Sequence, residues 1–531
     1  MKILLPLFLT LQCLSLTSAS QYAFSRPGPL QNNADPLSGL SEVLEKARIE
    51  SGIPGMSVAL LYKGKLIFAE GFGKRNDHDP FTVDTVSSIA SMTKAFTAAA
   101  IGELVAEGKM DWDTTPVSKY VPEFELQDPV LTSQLTLSDL LSHRTGYPQV
   151  DFGWFWNTED SRTELIKRLK YVDSSSKLRP YTIYNNVMYG VAGVAGGNVD
   201  GTSYEEIVRK KIFKPLGLSN TGFSVSEMKK LPNFAIPYSA ASFEDAQNGN
   251  FQKLPVDDMA TKCAPSGDIY SNVLDLVRWG KTIIDYGKID GRQVLNKDSI
   301  VESLTAHSIY DKSRRTPEFG PAVMYGMGWF LDSYKGNVIH YHGGNNPGYT
   351  SNLMLFPDSD LVFVQLTNVH GASLPIYLPY YIADKLLGLP ETQDWLNDVV
   401  ISFARRVYEA LERETKGNFP KRIENKPTSH ELSDFTGIYT NLVYGDATIS
   451  LKRNGKDEEM LHFKYLVHEG DLRHYHYDTF STVVQHSTDK FADLLSFETN
   501  QDGEISGFYM HIIKRKEYFR RKRVTDVSSP L

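Results

Sequence analysis

Ser91 and Lys94 head an alanine-rich run, Ala90 to Leu104, that carries almost no charge. A separation of three puts both side chains on one face of a helix. A serine hydroxyl is a poor nucleophile until a neighbour takes its proton. A lysine in a poorly solvated pocket loses part of its preference for the charged form and can take it, directly or by relay. The competing reading is a core helix capped by Ser87 or Ser88. The same spacing at Ser174/Lys177, Ser226/Lys229 and Ser487/Lys490 lies in polar surroundings and carries no catalytic expectation.

Two further clusters supply partners for that pair. In Tyr181-Thr182-Ile183-Tyr184-Asn185-Asn186, Tyr184 falls on the loop before a small-residue helix that runs to Gly197. A phenol beside a cationic lysine is expected to have a lowered pKa and to act as a general base. The Asn186 amide can hold the serine–lysine pair or a substrate carbonyl. Tyr184 is one of 28 tyrosines, so simple packing is the alternative.

The third cluster is Val338-Ile339-His340-Tyr341-His342-Gly343-Gly344-Asn345-Asn346. Branched residues running into glycines predict a strand edge that a substrate backbone can approach closely. His340 and His342 share a strand face, yet no third or fourth ligand stands at usable spacing, so no metal site is predicted. His143, before Arg144-Thr145-Gly146, reads as a structural residue bonding the neighbouring loop.

The elements that must position these groups are legible in outline. A helix from Leu40 to Ser51 is stopped by Gly52-Ile53-Pro54-Gly55. A hairpin follows, with Met56 to Tyr62 and Lys65 to Phe72 joined at Lys63-Gly64. Helix, hairpin and then the Ser91 helix predict an antiparallel sheet with helices packed on it.

The chain has 531 residues, 41% hydrophobic and 23% charged, which predicts a globular protein of two or three domains. A net charge of −8 gives no reason to expect nucleic acid. Met1-Lys2, an apolar run to Leu16 and small residues to Ser20 read as a signal peptide. A secreted, extracellular protein without a membrane anchor is expected. Cys13 would leave with the signal, so Cys263 remains as a small buried residue with no disulfide.

With Ala106-Glu107-Gly108-Lys109-Met110-Asp111, Leu140 to Gly146, Pro215-Leu216-Gly217-Leu218 and Met327-Gly328-Trp329, the three clusters resemble the class C β-lactamases and D-Ala-D-Ala-peptidase-like serine hydrolases, peptidase family S12. The resemblance spans Leu40 to Leu387. It implies an α/β (α+β) fold, a β-lactamase/transpeptidase-like sandwich of antiparallel sheet and flanking helices with an inserted helical region. It implies acylation of Ser91 with Lys94 beside it, proton shuttling by Tyr184, and substrate binding by Asn186, His342, Gly344 and Asn345. The oxyanion hole would be the amides of Ser91 and Asn345. No cofactor is implied, and the substrate would be a small peptide, amide or ester.

The third motif departs from efficient β-lactamases of this class, which carry lysine where this chain has His342. A histidine near its free pKa of about 6.5 is mostly neutral at pH 7. The resemblance therefore leans toward peptidases and esterases, with a preference for carboxylate-bearing substrates strengthening below about pH 6.5. Related domains also occur as extracellular matrix components, shell matrix among them, so an inert or incidentally catalytic matrix protein is the alternative function.

After residue 390 a polar helix, Leu396 to Thr415, leads out of the catalytic domain into a linker around Gly417 and Pro420. Short alternating runs then predict a β-barrel or meander of roughly eight strands. This part resembles the lipocalin-like domain attached to some members of the family, most closely in Leu472 to Phe480. The expected layout is signal peptide 1–19, leader 20–37, catalytic domain 38–390, helix and linker 391–430, barrel 431–523 and tail 524–531. The catalytic unit is expected to fold without the barrel. His474 and His476 read as structural, and Arg520 to Arg523 as a solvated strand end.

Overall fold

A computed structural model describes residues 36–523, apart from 313–315, 418, 454, 456, 487–488 and 513–514. The expected signal peptide, all but the end of the leader, and the tail lie outside the described residues.

The catalytic region is built on an eight-stranded antiparallel sheet. Its order is Ser308–Asp311, Val323–Tyr325, Phe330–Tyr334, Asn337–Asn346, Tyr349–Phe356, Leu361–Thr367, Gly55–Tyr62 and Lys65–Gly73. The predicted hairpin is present, with Tyr62 opposite Lys65 and a bulge at Leu60/Leu61. Tyr349–Phe356 and Leu361–Thr367 are buried at every residue. That follows from their place mid-sheet with helices on both faces, which makes an apolar run stable where alternation would not be.

On one face pack the Leu40–Glu50 and Leu374–Leu387 helices around Leu44, Leu60, Phe363 and Leu378. On the other lies Val273–Ile284, with Trp279 stacked on Phe96 at 4.2 Å. Phe96 belongs to the helix Thr93–Ala106, which follows the turn bearing Ser91, is mostly apolar and is buried at 11 of its 14 residues. A helix of that kind can sit only inside a core.

Neither Ser87 nor Ser88 caps this helix. Both lie in a short strand paired with Tyr270–Ser271; Ser88 Oγ accepts from the Ala90 N–H at 3.4 Å, but the N-cap positions of the 3₁₀ turn Ala90–Met92 and of the helix fall on Ile89 and Met92, which make no side-chain cap. The chain turns instead through Ala90 at φ +46°. A non-glycine residue held in that left-handed region is the kind of local strain found beside functional groups.

The C-terminal region is a closed barrel of eight strands, from Gly437–Asn441 to Arg515–Arg521, sealed where Tyr439 meets Arg521. Its interior is filled by Phe435, Tyr439, Phe463, Phe497, Phe508 and Phe519, all buried. The helix before it does not simply leave the catalytic region. Trp395 and Leu396 bury their side chains there, and Trp395 Nε1 donates to Asp384 Oδ2 at 3.1 Å. Its continuation, Ile401–Lys416, runs against the barrel strand Asp489–Thr499.

The barrel also touches the catalytic region directly. Phe152 stacks on Tyr465 at 4.9 Å and on His468 at 5.0 Å, so one apolar core is continuous across both. The catalytic region and the barrel thus share buried apolar contacts. At the barrel's end, Arg521 donates to the Thr436 carbonyl at 2.6 Å and Lys522 pairs with Asp446.

Candidate active site

Lys94 is fully buried, and its Nζ lies 3.1 Å from Ser91 Oγ and 2.9 Å from the Ser266 carbonyl. The carbonyl is offered by the short helix Ala264–Gly267. Burial pushes the amine down to about 7, although the charge of Asp151 opposes the shift. Lys94 therefore exists in part as the free amine at neutral pH, within reach of the serine proton.

Tyr184 shares a hydrogen bond with Ser91, and the Lys94 ammonium lies 4.7 Å from its ring centre. Its pKa is not lowered as expected. Loss of solvent around the phenol outweighs the hydrogen bond and raises it well above 10, so the hydroxyl keeps its proton. Tyr184 can relay or donate a proton here, while Lys94 is the group poised to accept one.

The placement of Tyr184 has a clear cause. His143 Nδ1 accepts from the Asn185 backbone N–H at 3.0 Å, and its ring lies 4.2 Å from the Tyr184 ring. The structural reading of His143 fits this geometry. The loop is locked by Asp139, a buried carboxylate bonded by Arg144 and Arg179 at 2.7–2.8 Å. Asn185 then caps the helix Asn186–Asp200 through Met188 N–H.

Asn186 is turned elsewhere than expected. Its Nδ2 donates to Asp151 Oδ2 at 2.7 Å, which leaves one amide proton and the carbonyl for other partners. Asp151 is the residue that the sequence reading missed. It lies in the irregular stretch after Gly146, and its one sequence signal is an acid set directly before the aromatic run Phe152 to Trp156.

Gly344 faces Ser91. A Cβ there would stand 2.9 Å from the Ser91 nitrogen and closer still to the Ile89 carbonyl, so only glycine admits the strand. Pairing with Phe330–Tyr334 stops at Tyr341, which leaves residues 342–346 free of a strand partner on that side. The predicted open edge is there, although Asn337–Asn346 is otherwise an interior strand. Asn346, a second residue missed, fastens this edge by donating to Ser88 Oγ at 2.9 Å and to the Gly267 carbonyl at 3.0 Å. The Asn345 side-chain oxygen accepts from Thr350 Oγ1 and the Gly371 N–H, which leaves its amide protons and its backbone N–H for other partners.

His342 is buried beside the cleft that follows this edge and is not in its lining. It is 2% exposed, with Nδ1 2.6 Å from the Gly343 carbonyl and Nε2 3.1 Å from the Tyr325 hydroxyl. The carbonyl requires a proton on Nδ1, and in the neutral ring Nε2 then accepts from Tyr325. Burial, reinforced by Lys94, pushes its pKa down to about 3. Both ring nitrogens are engaged within the protein, and the lowered pKa keeps the ring neutral near pH 7.

Along the open edge runs a cleft of about 450 Å³ lined by Tyr310, Phe330, Tyr341, Gly344, Ile376 and Tyr377. Aromatic and apolar side chains share its walls with the polar Asp311, Asn345, Thr350, Ser351 and Asn352. Among the described residues, no cluster of histidine, cysteine, aspartate and glutamate could hold a metal ion.

Residues 40–387 match the family described as Beta-lactamase, and residues 421–525 match a domain of unknown function, DUF3471. The chain is 24% identical over 437 residues to unguisins hydrolase ungD' of Aspergillus campestris (strain IBT 28561), covering 79% of each. It is 26% identical over 336 residues to penicillin-binding protein 4 of Amycolatopsis lactamdurans, covering 62% of this chain and 84% of that one. In structure it resembles the octameric penicillin-binding protein homologue from Pyrococcus abyssi. That match has a TM-score of 0.57 and 22% identity, over 91% of this chain and 100% of the other.

Proposed function

The chain belongs to the beta-lactamase family, and we propose that it is a serine hydrolase cleaving amide or ester bonds through an acyl-enzyme on Ser91, of the S12 peptidase or esterase type. The observation that carries this reading is the desolvated Lys94 amine 3.1 Å from Ser91 Oγ. The free amine takes the serine proton as Oγ attacks the carbonyl carbon, and the oxyanion is met by the Ser91 and Asn345 amides. Tyr184, still protonated, passes its proton to the leaving nitrogen or oxygen and is reprotonated from Lys94. Water then releases the acyl group by the reverse relay.

A neutral His342 offers no fixed charge to the carboxylate of a β-lactam, which favours uncharged substrates over penicillins. The aromatic side chains of the cleft support a bulky apolar group beside the scissile bond. The hydrolase name of the Aspergillus relative is consistent with such a role. The alternative, an extracellular matrix component, draws no support from the relatives. Export from the cell is part of the proposal and rests on the basic start and apolar run of residues 2–16.

The test is labelling with a fluorophosphonate probe. Modification of one residue, Ser91, with loss of both labelling and ester hydrolysis in Ser91→Ala, is the expected result. Labelling at another serine, or none at all, rejects the assignment.

A further inference from the structure

We propose that Asp151 is a positioning residue for the Ser91–Lys94 pair, and that the C-terminal barrel holds it in place. The inference rests on the serine-hydrolase reading and extends it to a residue outside the three motifs.

Asp151 opens a single 3₁₀ turn, Asp151–Gly153, and is 7% exposed. One carboxylate oxygen accepts from Asn186; the other is buried with no hydrogen-bond partner among the described residues. A carboxylate taken out of water with half its acceptor capacity unused is costly to the fold. Its bond to Asn186 ties it to the start of the helix that follows the Tyr184 loop, and Lys94 is the cation whose charge reaches it.

The groups facing this pair from the surrounding elements are Tyr184 and Asn186, Tyr189, His143, His342, Cys263 and Tyr444 of the barrel. The tyrosines and Cys263 are pushed up by burial and both histidines are pushed down. Asp151, raised to about 6, and Lys94, lowered to about 7, are therefore the members that change charge near neutrality. When Lys94 takes the Ser91 proton, the Oγ–H bond breaks, an N–H bond forms, and an ammonium appears in a dry pocket. An ionised Asp151 stabilises that cation and exchanges no proton itself.

The barrel packs against the turn that carries Asp151. The neighbouring Phe152 lies parallel to Tyr465, 10° between planes, and to His468, 11° between planes. Trp156 meets His468 edge-on at 5.2 Å. The Tyr465 hydroxyl bonds the Tyr444 carbonyl at 2.8 Å and reaches the Phe152 carbonyl at 3.5 Å. The catalytic region holds the same loop from the other side, where the Trp156 N–H donates to the Met259 carbonyl at 2.9 Å and Trp154 packs on Gly190, so the seam closes the loop between two bodies of contacts.

The experiment compares the full-length protein with Asp151→Asn, Phe152→Met and Trp156→Phe. It follows kcat/KM for an uncharged p-nitrophenyl ester from about pH 5 to 9, a window bracketing both titrations, and the rate of fluorophosphonate labelling. Asp151→Asn should slow labelling about tenfold and move the acid limb about one pH unit lower, because the anion that favours the charged lysine is gone. Phe152→Met keeps volume and loses the ring stack, so it should shift the limb in the same direction by less; Trp156→Phe is read the same way if Phe152→Met fails to fold. Coincident profiles for wild type and Asp151→Asn overturn the role of Asp151. A folded seam variant with unchanged rate and limb overturns the role of the barrel. If wild type is not labelled at Ser91, the hydrolase reading fails first and this inference with it.

Discussion

The side-chain position that Gly344 leaves empty lies 2.9 Å from the backbone nitrogen of Ser91. The strand and the nucleophile turn are in backbone contact, and any Cβ must drive them apart. At Gly343 the nearest atom would be 3.4 Å away, ordinary contact. Gly344→Ala should therefore lower kcat/KM at least about 10²-fold, the scale of a 1 Å misplacement. Gly343→Ala should stay within a few-fold of wild type. Steady-state kinetics on one ester, with Tm for both variants, checks the contrast.

Lys94 sets the pH profile. Since the free amine is the base, kcat/KM for an uncharged ester should rise through about pH 7, and Lys94→Arg, charged at every accessible pH, should be inactive throughout. The same burial makes Lys94 a liability to folding. The folded pKa lies below the unfolded one, so the cost is full below about pH 7 and fades as pH rises toward the free lysine value of about 10.4. Lys94→Met should raise Tm, most strongly at the acid end.

Removing the Tyr184 hydroxyl should lower kcat by about 10²–10⁴, the usual range for a positioned acid or base. Because burial holds the phenol protonated, no loss of activity from its ionisation should appear below pH 10. Single-turnover acylation of Tyr184→Phe separates this from a binding defect.

His342 should not respond to pH in the working range. The ratio of kcat/KM for a carboxylate-bearing ester to that for its neutral counterpart should be flat from pH 5 to 9, above the folded pKa of about 3. A step near 6.5 would restore the imidazolium as an anion receptor. The consequence appears in stability instead. His143, His340 and His342 stay neutral in the fold while the unfolded chain gains protons below about pH 6.5. Tm should fall as pH drops from 6.5 toward 4, and His342→Asn should lessen the fall.

The sequence is informative where chemistry is local. Ser91 and Lys94 meet because three residues of helix bring them together, and the hairpin is written in alternating residues around Lys63-Gly64. Six of the eight barrel strands are visible as separate runs; His468–His476 and Arg515–Arg521 are masked by their polar content. Properties that depend on burial are not visible. The protonated Tyr184 and the neutral His342 follow from desolvation by distant segments, and Asp151 reaches Asn186 across 35 residues of chain. The serines before the nucleophile look like caps because their strand partner, Tyr270–Ser271, is about 180 residues away.

Cys263 is the only cysteine among the described residues, and it is wholly buried. It ends the turn that leads directly into Ala264–Gly267, the segment whose Ser266 carbonyl grips Lys94. A thiol there is closed to reagent in the native molecule and opens when that segment lifts away. The chain thus carries its own reporter. The rate at which Cys263 accepts a thiol label in mild denaturant clocks the local opening that releases the lysine, and comparing it with global unfolding tells whether the catalytic floor loosens before the molecule does.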